Sequence, residues 1–368
     1  MELQATFSNR LMDLIQPLVL SAAVWVSGTA FSQMTMSDIG LGQGFSQMAF
    51  VSPANFLGSL LDQARHAEAV RDFCRQLKGQ YQRYKWQEDP CGHVKWRADL
   101  RSQLGRPLIY AEFGDAKKET TLLLGGVHAD ELTPINLAFR FARYLDEHPE
   151  VAADQAHVII APLVSPDGFI REHPTRTNAN GIDVNRNFFT ADWYDKAQKI
   201  WQQGRGRSPA HFPGYFPNTE IETLFQIALI DHYRPDKILS IHAPLGFLDY
   251  DGPGSGVIRP LTVTESKAKR LVKAIAESSQ NYKVVDYTFY PGSLGNYAGN
   301  ERHIPTVTLE LQTTDPRKSE AYWKQFEPGI MQTIRYPFSR TPVVELHNEI
   351  DNASPFSVQY LREGGTTI

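Results

Sequence analysis

The sequence has only two cysteines in 368 residues, no surplus of positive charge, and no internal repeat or low-complexity tract. With a net charge of −4 it carries no electrostatic footprint for nucleic acid, and no case for an acidic partner either. Its two cysteines, Cys74 and Cys91, allow one disulfide if the chain is exported and two free thiols otherwise; sequence does not choose between them. The uncharged apolar run at residues 14–26 (LIQPLVLSAAVWV) is too short for a comfortable membrane span, which takes about 20 residues. Hydrophobic residues at 42% and charged residues at 21% are ordinary for a soluble globular protein. The length fits one large domain with short additions, or two smaller ones.

The apolar run is more informative as an address than as a span. Arg10 precedes it, and Ala30 and Ser32 fit a small-x-small cleavage pattern, although Glu2 and Asp13 dilute the positive charge expected before a secretory signal. Residues 1–32 are read as a signal peptide, which predicts a periplasmic or secreted protein with no stable membrane span after cleavage. If the segment is instead an amphipathic or buried helix, the protein is cytoplasmic. Residues 33–95 read as a loosely patterned arm (33–55) followed by a charged helical stretch (56–84), residues 96–340 as a catalytic domain, and residues 341–368 as a tail.

Within 96–340, buried-looking strands alternate with helical stretches. Residues 122–124 form an apolar run, HVIIAP at 157–162 and KILSIH at 237–242 are two more, and 306–312 alternates. Leu104-Gly105-Arg106-Pro107 sits between two strand-like runs as a hairpin turn. Helices are expected at 132–144, 220–233, 265–279 and 320–336. Residues 243–256, rich in Gly, Pro and Asp, read as a loop, and 170–192 as a polar stretch without regular structure. The alternation predicts an α/β fold: a mixed, mostly parallel central sheet with helices on both faces.

Four features carry chemistry. LLLGGVHADE at 122–131 places His128 and Glu131 one turn apart where a strand gives way to a helix, so both can reach one metal ion. Taken alone, the pair is equally a helix-start carboxylate beside a loop histidine. His242 ends the strand before it and can complete a two-histidine, one-glutamate zinc set, although an isolated core histidine reads the same way. The run 176–188 holds Arg176, Asp183, Asn185 and Arg186; arginine forks grip carboxylates, while Asn and Asp in such a loop also satisfy one another. In TVTLEL at 306–311, Val307, Leu309 and Leu311 face one side and Thr308 and Glu310 the other, so Glu310 is either a solvated strand residue or a rigidly held base.

In this order along the chain, these residues resemble the zinc carboxypeptidases of the carboxypeptidase A type. His128-Ala129-Asp130-Glu131 looks like the family's His-x-x-Glu pair, and Ser165-Pro166-Asp167-Gly168 resembles its Asn-Pro-Asp-Gly turn with Ser in place of Asn. Residues 180–188 (NGIDVNRNF) are close to its Asn-Gly-Val-Asp-Leu-Asn-Arg-Asn-Phe signature, Ser240-Ile241-His242 matches the third-ligand strand, and Thr308-Leu309-Glu310-Leu311 the catalytic glutamate strand. The resemblance runs over residues 96–335. It implies one Zn2+ held by His128, Glu131 and His242, with Glu310 as general base and Arg176 stabilising charge on the carbonyl oxygen. It further implies that Asn185 and Arg186 grip the free carboxylate of the substrate and that Asp183 orients His128 from behind. Residues 242–245 (HAPL), 291–297 (PGSLGNY), 212–214 (FPG) and 220–223 (EIET) look like bacterial murein peptide amidases, which cut γ-D-glutamyl–meso-diaminopimelate bonds in cell-wall peptides; the expected partner is therefore a peptide or muropeptide. The alternatives are an ordinary metallocarboxypeptidase, a deacylase of the aspartoacylase or succinylglutamate desuccinylase type with the same zinc site, and a non-catalytic wall-binding protein.

Overall fold

In the computed structural model of the chain, residues 53–153, 155–252 and 266–338 are described, with side chains from residue 66 onward. The expected signal segment 1–32, all but the end of the arm at 33–55, and the tail 341–368 lie outside the described residues.

A seven-stranded mixed sheet carries everything else. Its strands are β1 (Arg97–Arg101), β2 (Pro107–Gly114), β3 (Thr120–Leu124), β4 (His157–Ala161), β5 (Lys237–His242), β6 (Phe247–Asp251) and β7 (Thr306–Glu310). They lie in the order β1-β2-β4-β3-β5-β7-β6. The central four, β4, β3, β5 and β7, run parallel, while β2 joins β4 and β6 joins β7 antiparallel. β1 and β2 form the hairpin expected from Leu104-Gly105-Arg106-Pro107, closed by Ser102 N–H donating to the Arg106 carbonyl at 2.7 Å.

The central strands are apolar on both sides because helices cover both faces. Leu123, Leu239, Ile241, Val307 and Leu309 point to one face, where they pack with α2 (Leu132–Glu147), α4 (Lys267–Ser278) and α5 (Ser319–Arg335). Leu122, Leu124 and Ile238 point to the other, against α3 (Ile221–Tyr233). The α1 helix (Pro53–Arg83) adds Phe73, Leu77 and Tyr81 to a third apolar cluster with Phe139 and Phe169. No helix among the described residues is long and apolar enough to cross a membrane.

One expectation is corrected. Residues 243–256 are not one loop, since Phe247–Asp251 is strand β6, buried throughout. Aspartates at alternate positions lower strand propensity and read as loop composition. Here they occupy only one face, while Leu248 and Tyr250 fill the core on the other.

Cys74 on α1 and Cys91 are joined in a disulfide, the Cα atoms 5.9 Å apart and the residues 17 apart in sequence. A loop of that size, closed in the unfolded chain, is worth about 3 kcal/mol. Replacing both cysteines by alanine is expected to lower the unfolding free energy by roughly that amount in a denaturant titration. A reducing agent should reproduce the loss in the wild-type protein and add nothing to the variant; a reduced wild type as stable as the oxidised one would refute it.

Candidate active site

The site gathers at the carboxyl ends of the parallel strands. β3 ends in Gly125-Gly126, and nothing larger fits there: a Cβ on Gly125 would stand 2.6 Å from the Ala138 Cβ, and Gly126 has φ +56. The tight exit delivers His128 and Glu131 onto the sheet edge just before α2. The Ser165-Pro166-Asp167-Gly168 turn steadies that exit from beside it. Ser165 Oγ donates to the Val127 carbonyl at 2.8 Å, and Asp167 accepts from Ser102 Oγ, Leu104 N–H and Arg106 Nη1 at 2.7–2.9 Å, tying the β1–β2 hairpin to it. His242 ends β5, and the β5–β7 register sets Glu310 directly opposite it.

His128, Glu131 and His242 are all buried, and one ligand atom from each lies within 4.8 Å of the others. The His128 and His242 Nδ1 atoms stand 3.1 Å apart, and the Glu131 oxygens lie 2.7 Å from the first and 3.0 Å from the second. Each imidazole is held from behind by its other nitrogen: His128 Nε2 lies 3.0 Å from Asp183 Oδ1, and His242 Nε2 lies 3.0 Å from Ser240 Oγ. A carboxylate only accepts, so His128 Nε2 carries the proton and its Nδ1 offers a lone pair to the centre. Several lone pairs aimed at one buried point repel unless something positive sits there. Burial and Arg176 oppose a charge on His128, yet Glu131 and Asp183 on either side outweigh them and hold its pKa above the ordinary imidazole value. Burial likewise opposes a charge on Glu131, but His128 and His242 hold its carboxyl well below the usual range. The residues therefore fit a divalent cation, and two imidazoles plus one carboxylate are a donor set suited to zinc with one position left open.

The run 176–188 divides its side chains between two tasks. Asn178 accepts from the Asn180 and Ile182 N–H groups and donates to Glu220 and Glu222, while Asn187 clips residues 213–220 from the inside. These amides satisfy the loop itself. Asp183, fully buried, does both: it caps the short turn Val184–Arg186 by accepting from Asn185 N–H, and it holds His128. Arg176 Nε donates to Asp183 Oδ2 at 3.0 Å and Nη1 to Glu131 Oε1 at 3.3 Å, at the edge of the ligand cluster.

A cleft of about 270 Å³ opens over this centre, and Arg176, Asn185, Arg186, His211, Glu310 and Tyr290 are among its walls. Arg186 Nη1 donates to the Asn185 carbonyl and its guanidinium lies 4.4 Å from the Tyr290 ring centre. No carboxylate pairs with Arg186 among the described residues. Burial, offset in part by Asp183, holds its pKa below the ordinary guanidinium value, so the cleft wall presents a desolvated cation in want of an anion. Glu310 accepts from Leu245 N–H at 3.3 Å; burial, with Glu131 adding to it, keeps its carboxyl above the ordinary value.

All eight residues singled out in the sequence meet here. Of the other histidines near motifs, His211 lines the cleft, whereas His173 and His303 are exposed and outside it. Ser240, Tyr290, Arg205, Asp249 and Asp251 belong to the cleft and were not singled out. Ser240 was findable, because strand alternation puts it two residues from His242 on the same face. The others come from segments brought in only by the fold.

Two imidazoles and a carboxylate converging on one point, with the half-buried Glu310 carboxylate beside them, define a metallohydrolase site on a carboxypeptidase-like fold. The chain belongs to the zinc carboxypeptidase family, whose model matches residues 100–329. It is 31% identical to murein peptide amidase A of Vibrio campbellii over 221 residues, 57% of this chain and 77% of that one. It is 32% identical to murein peptide amidase A of Escherichia coli K12 over 151 residues, which cover 40% of this chain and only 59% of that relative's length. A crystal structure of carboxypeptidase A from Helicoverpa armigera shares the fold, with 19% identity and a TM-score of 0.53 over 68% of this chain and 71% of that one.

Proposed function

We propose that this hydrolase is an exopeptidase using one zinc ion, that it cuts the amide next to a free carboxylate, and that its substrates are γ-D-glutamyl–meso-diaminopimelate peptides of the cell wall. The observation that carries the reading is Arg186, a guanidinium with no carboxylate partner among the described residues, beside Asn185 in the same cleft as the His128, Glu131 and His242 cluster. A guanidinium fork next to an amide recognises a terminal carboxylate. That grip fixes how far from the chain end the amide to be cut lies.

His128, Glu131 and His242 would hold the metal, and zinc bound there would supply Lewis acidity to the scissile carbonyl and to an attacking water. Glu310 takes a proton from the attacking water and returns it to the leaving amine. Arg176 turns its guanidinium to the charge growing on the carbonyl oxygen. Asp183 keeps His128 in the tautomer whose Nδ1 faces inward. The wall-peptide assignment is supported by the murein peptide amidase relatives and by the matching stretches 242–245 and 291–297. Export to the periplasm or beyond is supported by the apolar run 14–26 and by the Cys74–Cys91 disulfide, since such bonds persist in oxidising compartments.

The test is mass spectrometry of zinc-loaded protein incubated with muramyl tripeptide and tetrapeptide, with Glu310→Gln as the control. Release of diaminopimelate from the tripeptide, absent in the control, is the expected result. An inert tripeptide together with cleavage of ordinary C-terminal peptides would replace the wall substrate by a general one, and deacetylation of N-acetylaspartate would make the protein a deacylase.

A further inference from the structure

Strand β6 lays a second kind of chemistry along the cleft. Phe247, Asp249 and Asp251 line its wall, opposite in sense to Leu248 and Tyr250 in the core. Asp249 is 7% exposed and Asp251 5%. Asp249 accepts Tyr287 N–H at 2.9 Å. Asp251 receives one long hydrogen bond, from Asn300 Nδ2 to Oδ1 at 3.4 Å. Its Oδ2 has no hydrogen-bond partner among the described residues, and neither aspartate pairs with a lysine or arginine among them. The chain makes room for this carboxylate: a Cβ on Gly295 would overlap its Oδ2, and one on Gly299 its Cβ.

Two desolvated carboxylates on adjacent same-face positions of one strand, with Asp286 and Glu310 nearby, are an unfavourable arrangement unless a proton or a cation completes it. Burial pushes Asp249 up to about 6; burial and then Asp249 push Asp251 up to about 8. The cations of the cleft gather at Tyr290: the Arg186 and Arg205 guanidiniums lie 4.4 and 5.0 Å from its ring centre, and Arg205 donates to its hydroxyl at 2.7 Å. The cleft thus has a positive wall for a carboxylate and a negative wall for something else on the same residue.

We propose that Asp249 and Asp251 receive a protonated amine on the side chain of the residue being released, so that the enzyme selects a C-terminal diamino acid over an aliphatic one of similar length. The proposal rests on the carboxylate grip by Asn185 and Arg186 set out under Proposed function. It does not rest on the identity of the acyl group.

The experiment compares γ-D-glutamyl peptides ending in meso-diaminopimelate, lysine, norleucine and 2-aminopimelate, the last keeping the distal carboxylate without the amine. In the zinc-loaded wild-type enzyme, kcat/KM is expected to be at least about 30-fold higher with the amine than without it, the usual scale for a buried charge left unpaired. Asp251→Asn and Asp249→Asn should each lower that ratio by about tenfold or more. Free lysine should also inhibit the wild-type enzyme more strongly than norleucine, a reading that needs no variant to fold. Equal kcat/KM with and without the amine would overturn the inference and leave the exopeptidase reading intact. Inert γ-glutamyl substrates, with α-linked peptides cleaved in the order lysine over norleucine, would support it while the wall-peptide reading fails.

Discussion

Glu310→Gln is expected to lower kcat by about 10³-fold, the middle of the range for losing a positioned general base. KM and zinc content should stay within about twofold. The argument is one of position. Glu310 ends β7 opposite His242, half-buried in the cleft wall, and is absent from the three-residue cluster that would hold the metal. Glutamine keeps its shape and its contact with Leu245 N–H in reach, but has no basic oxygen to take the proton. Metal analysis beside the kinetics separates the outcomes. Lost activity with full zinc content places Glu310 in the chemistry. Zinc lost in step with activity would make it a ligand or a structural support instead.

Arg186→Ala should lower kcat/KM by about 10²-fold or more, chiefly through KM. Its guanidinium has no carboxylate partner among the described residues, so the change removes no internal ion pair and should cost little stability. The loss should fall on substrates with a free terminal carboxylate. A substrate whose terminal carboxylate is amidated, already poor, should lose little more. Equal losses on free and amidated substrates would remove the carboxylate-gripping role and with it the reason to call the enzyme an exopeptidase. Arg186→Lys should recover only part of the loss, because an ammonium cannot reproduce the fork.

The parts of this molecule legible in the sequence are those where one local pattern sufficed. Strands β3, β4 and β5 are runs buried on both faces, and such runs stand out in any window. His128, Glu131 and His242 could be picked out because they sit at or just past the ends of such runs, Glu310 because it stands on the polar face of the alternating strand β7, and ordered motifs then joined them. β6 escaped notice for the opposite reason: its aspartates are unfavourable in a strand by local propensity and make sense only beside the cleft that β7 and residues 287–295 enclose. Tyr290, Arg186 and Arg205 were equally hidden as a group, since Tyr290 meets the two arginines only in the fold and is distant from both in sequence. The amide-rich run 176–188 supported two readings, a binding loop and a self-satisfying loop. The fold assigns Asn178 and Asn187 to the second and leaves Asn185 and Arg186 facing the cleft.

The register of the sheet bears on how such an enzyme could change over evolutionary time. His242 and Glu310 face one another across the β5–β7 ladder, so their separation follows from backbone hydrogen bonds shared by whole strands rather than from either side chain. A slip of either strand by one residue would turn its whole face, His242 or Glu310 included, away from the site, so drift in this pair is all or nothing. Asp249 pairs with Thr308 one strand further out, on an edge strand with a single neighbour in the sheet. Its outer edge meets the irregular segment around Val284, bridged at Leu248, and no further strand of the sheet among the described residues. The cleft wall on β6 can therefore be rewritten residue by residue for a new side chain while the ladder beneath the chemistry stays as it is.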